Sequence, residues 1–183
     1  MNIFWLVTRT LITILFLIAV AVGLYFIFIR IIPAQTNASI LHVIDGDSYV
    51  VKMDDSIKRV QLIGVDAPEW HGADIKVPQC LAESVPSVIV DKFFRDSNGY
   101  NLKVRLARDS NIAEKDAHGR DLYYVYLDDG SLLNEQILKE GLAKVLILPG
   151  QDLQKKSSLQ SAEEFARERG FGIWNPSLCD GTF

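Results

Sequence analysis

With 183 residues and 49% hydrophobic content, the chain has material for one well-packed domain and not comfortably for two. Of its 19 basic residues only Arg9 and Arg30 precede Ala38, whereas all 23 acidic residues follow it, so the remainder carries a net charge of −6, 17 basic against 23 acidic. This excludes a module that grips nucleic acid through a broad basic surface, because counterion release needs many cations facing phosphates.

Thr10 to Ile29 reads TLITILFLIAVAVGLYFIFI, without a charge. About 20 apolar residues rising roughly 1.5 Å each match a hydrocarbon core of about 30 Å. Arg9 and Arg30 bracket the run, and Trp5 and Tyr25 stand near its ends, where aromatic side chains favour the membrane interface. The sequence therefore predicts a single amino-terminal transmembrane helix within residues 1–33, with residues 10–29 as the membrane partner. A cleavable signal peptide is the competing reading, with Thr36-Asn37-Ala38 as its small-residue site. The charges lean toward an extracytoplasmic domain on a single-pass protein, although Arg9 and Arg30 nearly balance. Residues 34–38 read as a polar link and 39–183 as the folded domain.

Within that domain, Ser39–Asp45 and Ser48–Met53 read as short strands split by the tight Asp45-Gly46-Asp47 corner. Lys58–Val65 is a third strand. Leu81, Val85, Ile89 and Phe93 recur at helical spacing, with Pro86 near the first turn and Asn98-Gly99 as the stop. Asn101–Arg108 and Leu122–Leu127 are strands four and five. Asn134 suits the N-cap of a short helix ending at Gly141, and Leu159, Ala162, Phe165 and Ala166 stripe a last helix ending at Gly170. Five short strands with interspersed helices indicate an α+β domain built on a small, closed or partly closed barrel.

Cys80 and Cys179 lie in different predicted elements without CxxC spacing. Outside the cytoplasm they can close one disulfide; otherwise they are two unrelated thiols. A zinc site built from them and the histidines is disfavoured. His42, His71 and His118 read as surface or structural residues. Among Tyr123, Tyr124 and Tyr126 some could stack on a base, and alternation turns at least one toward the core.

Charged clusters fall at turns: Asp45-Gly46-Asp47, Asp66-Ala67-Pro68-Glu69, Asp116-Ala117-His118-Gly119-Arg120 and Asp128-Asp129. Carboxylates at strand ends can converge on one hard cation, which takes several oxygen ligands at about 2.3–2.6 Å. An arginine after a glycine can approach a phosphate closely and bind it through two donors. Cation, carboxylate and guanidinium together suit attack of water on a phosphodiester. Any one cluster can equally be an ordinary acidic turn, and Asp128-Asp129-Gly130 reads as a loop.

Val43-Ile44-Asp45-Gly46-Asp47-Ser48, Leu62-Ile63-Gly64-Val65-Asp66-Ala67-Pro68-Glu69 and His118-Gly119-Arg120-Asp121-Leu122-Tyr123-Tyr124-Val125-Tyr126 resemble, in order, three signatures of the staphylococcal-nuclease-like family. Leu133-Asn134-Glu135, Glu140-Gly141-Leu142-Ala143 and Gly172-Ile173-Trp174 resemble its later segments, so the likeness runs from about Leu41 to Trp174. It implies an OB-type barrel of five strands with about three helices, and a nuclease that hydrolyses DNA or RNA with Ca2+. Position by position, it implies Asp47 and Asp66 as calcium ligands with the Ala67 carbonyl, and Asp45 as an acidic neighbour. Glu69 would position or deprotonate the attacking water, and Arg120 would bond the phosphate. The family's usual second arginine corresponds to Gln61, an uncharged donor; Arg59, two residues earlier on the same strand face, is the possible substitute. A catalytically impaired binding module and a membrane-assembly scaffold are the rival expectations. No protein partner is predictable.

Overall fold

A computed structural model describes residues 3–31, 35–70, 77–96, 99–100 and 102–183. Expectations placed on His71, Pro33, Asn98, Asn101 and the side chains of Trp5, Tyr25 and Arg30 lie outside what is described. The chain divides into two units, Met1–Ala34 and Gln35–Phe183. The first holds helix α1 (Ile3–Ile31), on which Leu11, Ile12, Leu15, Phe16 and Leu17 are all exposed. Among the described residues no helix is long and apolar enough to cross a membrane.

The second unit is a closed barrel of five principal strands in the order β1 (Gln35–Val43), β2 (Ser48–Met53), β3 (Ser56–Leu62), β8 (Asp121–Tyr126), β7 (Lys103–Ala107). The β3–β8 pairing is parallel and the others are antiparallel. β1 closes the barrel by pairing with β7 through Gln35–Ser39 and with β2 through Ser39–Val43. Its register slips between Ile40 and His42, a bulge of the kind that lets one strand bend and serve two neighbours. Residues 35–38, expected as a linker, are therefore ladder residues. A polar composition hid a strand whose outer face meets water.

The expected third strand, Lys58–Val65, is two elements. β3 stops at Leu62, and β4 (Val65–Asp66) pairs instead with β9 (Lys144–Val145). Between them Gly64 has φ +74, and a Cβ there would sit 2.5 Å from Leu159 Cδ1, so the break needs glycine on both counts. β5 (Arg95–Asp96) and β6 (Gly99–Tyr100) form a short separate pair.

Helix α2 (Val85–Phe93) carries Pro86 in its first turn and buries Val85 and Ile89. Leu81, expected on its stripe, precedes it in a turn at φ +67. Helix α3 (Leu133–Lys139) begins after Leu132 rather than at Asn134, whose side chain has another task. Asn134 is fully buried, accepts the Val125 N–H at 3.0 Å and donates to the Ile63 carbonyl at 2.9 Å. It thus ties α3 to β8 and to the end of β3. Helix α4 (Lys156–Arg169) ends on a left-handed Gly170, and a single 3-10 turn follows at Gly172–Trp174. The core comprises barrel-facing Ile40, Tyr49, Val51, Val60, Leu106 and Val125, extended by Leu133, Ile137, Leu138 and Leu159 beneath α3 and α4. Five-stranded barrel plus helices makes this an α+β fold of OB type. Cys80 and Cys179 are joined in a disulfide with 5.8 Å between their Cα atoms, tying the segment before α2 to the carboxyl terminus.

Candidate active site

The site begins at the corner between β1 and β2. Asp45 Oδ1 accepts the backbone N–H of Asp47 at 3.0 Å and of Ser48 at 2.6 Å, an Asx-type closure that Gly46 permits. Any Cβ on Gly46 would lie 2.5 Å from the Ala67 methyl. The Asp45-Gly46-Asp47 corner and the Asp66-Ala67-Pro68-Glu69 turn can therefore touch only because residue 46 lacks a side chain. The Ala67 N–H then donates to Asp47 Oδ2 at 3.0 Å. Two turns 20 residues apart in sequence are locked together, and Glu69 comes with the second. Its own backbone is held by Gln79, which accepts the Glu69 N–H at 2.6 Å through its side chain and donates its N–H to the Glu69 carbonyl at 3.1 Å.

Asp45, Asp47 and Glu69 thereby place carboxylate oxygens within 4.8 Å of one another, the first two buried and the third half-buried. This differs from the sequence expectation in one respect. Asp45, expected beside the ion, stands in the group, whereas Asp66, expected as a ligand, does not. Ala67 is turned to the Gly46 corner, and Asp66 remains close enough for its charge to act on Glu69. Asp66 sits instead on β4 opposite Lys144 of β9.

The charges of the cluster are costly as they stand. Burial, then the facing Asp45 carboxylate, pushes Asp47 up to about 8. Burial also raises Glu69, with Asp45 and Asp66 adding to it and Arg120 and Arg59 opposing. Asp66 is raised by burial against the pull of Lys144. Three converging carboxylates, two of them buried and repelling each other, form the all-oxygen donor set that a hard divalent cation fits.

The basic half of the site hangs on the next residue. Ser48 is fully buried; its Oγ donates to Gln61 Oε1 at 2.7 Å, lies 3.3 Å from Asp47 Oδ1, and accepts from an Arg120 guanidinium nitrogen at 3.1 Å. Arg120 is fixed from the other side by Asp116, which accepts its Nε at 2.5 Å and its backbone N–H at 2.9 Å. Burial alone raises the Asp116 carboxyl, but these bonds outweigh it and hold Asp116 below the usual carboxylate range. Gln61 is buried at 7% exposure and faces Ser48, while Arg59, two residues back on β3, is exposed. Gln79 is absent from the sequence expectations, and Ser48 and Asp116 appear there only within motifs, without the roles of holding Arg120. An aspartate four residues before an arginine in a glycine turn is the one local signal that could have exposed any of them.

The chain matches the family described as staphylococcal nuclease homologue over residues 59–176. It belongs to that family. Over 132 residues it is 33% identical to a thermonuclease of Staphylococcus intermedius, covering 72% of each chain. It is 31% identical to a thermonuclease of Staphylococcus hyicus over 142 residues, 77% of each. An endonuclease, YncB, of Bacillus subtilis is 27% identical over 77% of this chain and 63% of its own length.

The remaining expected residues fall away from the acidic cluster. His42 and His118 are exposed, and the His118 backbone N–H donates to Asp116. The Arg108 guanidinium lies 3.9 Å over the Tyr123 ring, and the buried Tyr124 donates its hydroxyl to Asp109 at 2.7 Å. Neither tyrosine therefore offers a free ring face to a base. Tyr126 is half-buried at the far end of β8.

Proposed function

We propose that the chain is a Ca2+-dependent nuclease that hydrolyses phosphodiester bonds of DNA or RNA. The observation that carries this reading is the acidic cluster of Asp45, Asp47 and Glu69, joined through Ser48 to Arg120. Asp45 and Asp47 would hold the cation, with Asp66 and the Ala67 carbonyl adjoining; bound there, Ca2+ would polarise the phosphoryl oxygens. Glu69, raised by burial and held through its backbone by Gln79, orients the attacking water and takes its proton. Arg120 neutralises the phosphate as its charge grows, and is pre-aimed by Asp116 so that little reorganisation is needed at that moment. Homology to proteins named thermonuclease and endonuclease supports the same reaction class.

Incubation with single-stranded DNA tests it. Cleavage should need calcium, stop with a chelator, and fall at least a hundredfold in Glu69→Ala and Arg120→Ala, roughly the loss of one transition-state donor. Activity that survives any of these rejects the mechanism. One observation favours a second reading, a binding module with impaired turnover: Gln61 is buried and engaged with Ser48, so it brings no charge to the phosphate. Gln61→Arg should then raise the rate, and an unchanged rate would show that another donor already serves.

No described helix is long and apolar enough to cross a membrane, so a tether at α1 is proposed from sequence alone, on the uncharged run from Thr10 to Ile29. The disulfide supports an oxidising, extracytoplasmic side for the domain. Protease added to intact cells should digest residues 35–183; full protection would place the domain inside.

A further inference from the structure

Beside the acidic cluster lies a cleft of about 380 Å3 lined by Asp45, Glu69, Arg59, Trp70, Ala82 and Pro86. Its position is informative. Asp45 and Glu69 belong both to the cleft and to the cluster, so whatever lies in it is contiguous with a phosphate under attack. Arg120 is not among its lining; that residue lines a separate cavity with Gln61 and Asp116. The two arginines thus stand at different pockets, with the Ser48–Gln61 bond between β2 and β3 near the divide.

The lining has the composition of a nucleotide subsite. Arg59 is exposed on β3, and its charge is felt by Glu69, so it reaches toward the cluster's edge. Trp70 is 37% exposed and follows Glu69 directly. An exposed guanidinium binds a phosphate through paired donors, and an indole face stacks on any base without reading its sequence. Glu83 shares the rim, so the cleft suits one phosphate rather than a run of them. In a domain of negative net charge, such a local cation adds to Arg120 in retaining a polyanion.

We propose that this cleft binds the nucleotide next to the scissile phosphate of a single-stranded nucleic acid, Arg59 taking its phosphate and Trp70 stacking on its base. The inference rests on the nucleic-acid reading above. It assigns Arg59 to a neighbouring phosphate, and not to the place of the arginine that Gln61 replaces. The substrate is accordingly held on both sides of the attacked phosphorus, and sequence preference at the neighbouring position is low.

The test uses the full chain carrying Glu69→Gln, so that cleavage does not consume the probe, with calcium and a fluorescent ten-nucleotide single-stranded DNA. Arg59→Ala should weaken binding about tenfold and make the slope of log affinity against log salt shallower by about 0.7, one phosphate contact on a single strand. Trp70→Ala should weaken binding by roughly five- to a hundredfold, the range for one stacked base, and Trp70→Phe should restore most of it. Lys58→Ala, a neighbouring cation on the opposite face of the strand, is the control and should leave affinity unchanged. With Glu69 intact, the loss in Arg59→Ala and Trp70→Ala should appear in KM rather than kcat. Affinity unaltered by both variants, or a salt slope shared by Arg59→Ala and its parent, overturns the subsite. A chain that binds and shows these losses but never cleaves would keep the subsite and defeat the nuclease reading instead.

Discussion

Removing divalent cations should make the domain lose stability as pH rises, the reverse of ordinary acid denaturation. Asp47 is nine-tenths or more buried, faces Asp45, and is pushed up to about 8 without a cation, whereas in an unfolded chain it titrates near 3.9. Between those values the folded state keeps a proton that the unfolded state has released, so unfolding becomes easier with each step up in pH and levels off above about 8. Burial raises Glu69 and Asp66 in the same direction. Asp116, held below its usual range by Arg120, acts oppositely and only under acid conditions. An Asp47 held unionised to such a pH would by itself cost several kcal/mol at the alkaline end; water entering the opened corner lowers this to about 2–3 kcal/mol. For a domain of this size, that corresponds to a fall in Tm of roughly 5–10 °C. The assay is thermal unfolding of cation-free protein across pH 5 to 9, repeated with excess calcium and with Asp47→Asn. Calcium should raise Tm most at high pH, and Asp47→Asn should flatten the cation-free profile. A flat profile in the parent chain, or the same slope in Asp47→Asn, would refute the reasoning.

Three further outcomes are expected. Asn134→Ala leaves the Val125 N–H and the Ile63 carbonyl without partners inside the core, so denaturant titration should show a loss of about 3 kcal/mol; less than 1 kcal/mol means the bridge is dispensable. Asp116→Ala frees Arg120 from its Nε anchor and should lower kcat by about tenfold to a hundredfold with stability little changed, measured as oligonucleotide cleavage; equal kcat would show that Ser48 alone aims the guanidinium. Reducing the Cys80–Cys179 bridge, which spans 99 residues of sequence, should destabilise by about 4–5 kcal/mol on the chain-entropy account, read as a lower Tm in reductant.

The turns that build the site are legible in the sequence because they are local. Asp-Gly-Asp between two β-branched runs, and Asp-Ala-Pro-Glu after another, announce strand ends that carry carboxylates. What joins those turns is not local. Asn134 has the sequence context of a helix cap, and only the packing of α3 against β8 turns it into a tertiary bridge. The Ile63-Gly64-Val65 run alternates like one strand, yet Gly64 turns at φ +74, where Leu159 leaves no room for a side chain, and β4 goes to a different partner. The resemblance implies Asp47 and Asp66 as ligands; the carboxylates lying within 4.8 Å of one another are those of Asp45, Asp47 and Glu69, with Asp66 near enough for its charge to act on Glu69. Ser48 was hidden for the opposite reason: a small hydroxyl within a charged motif carries no pattern until Gln61 and Arg120 arrive from β3 and from the turn before β8.

The arrangement answers how an acidic domain can handle a polyanion. Opposed charges are gathered through two consecutive residues: Asp47 accepts the Ala67 N–H that brings in the Glu69 turn, and Ser48 accepts from the Arg120 guanidinium. Because the Ser48 hydroxyl donates to Gln61 and lies against Asp47, it presents its lone pairs to Arg120, and so a neutral amide on β3 decides where the positive charge points. A charge at residue 61 in place of that amide would gain a phosphate donor and lose the partner that orients Ser48. Gain and loss therefore oppose each other within one side chain. The sign of the rate change in Gln61→Arg then reports which is larger, direct phosphate binding or the aiming of Arg120.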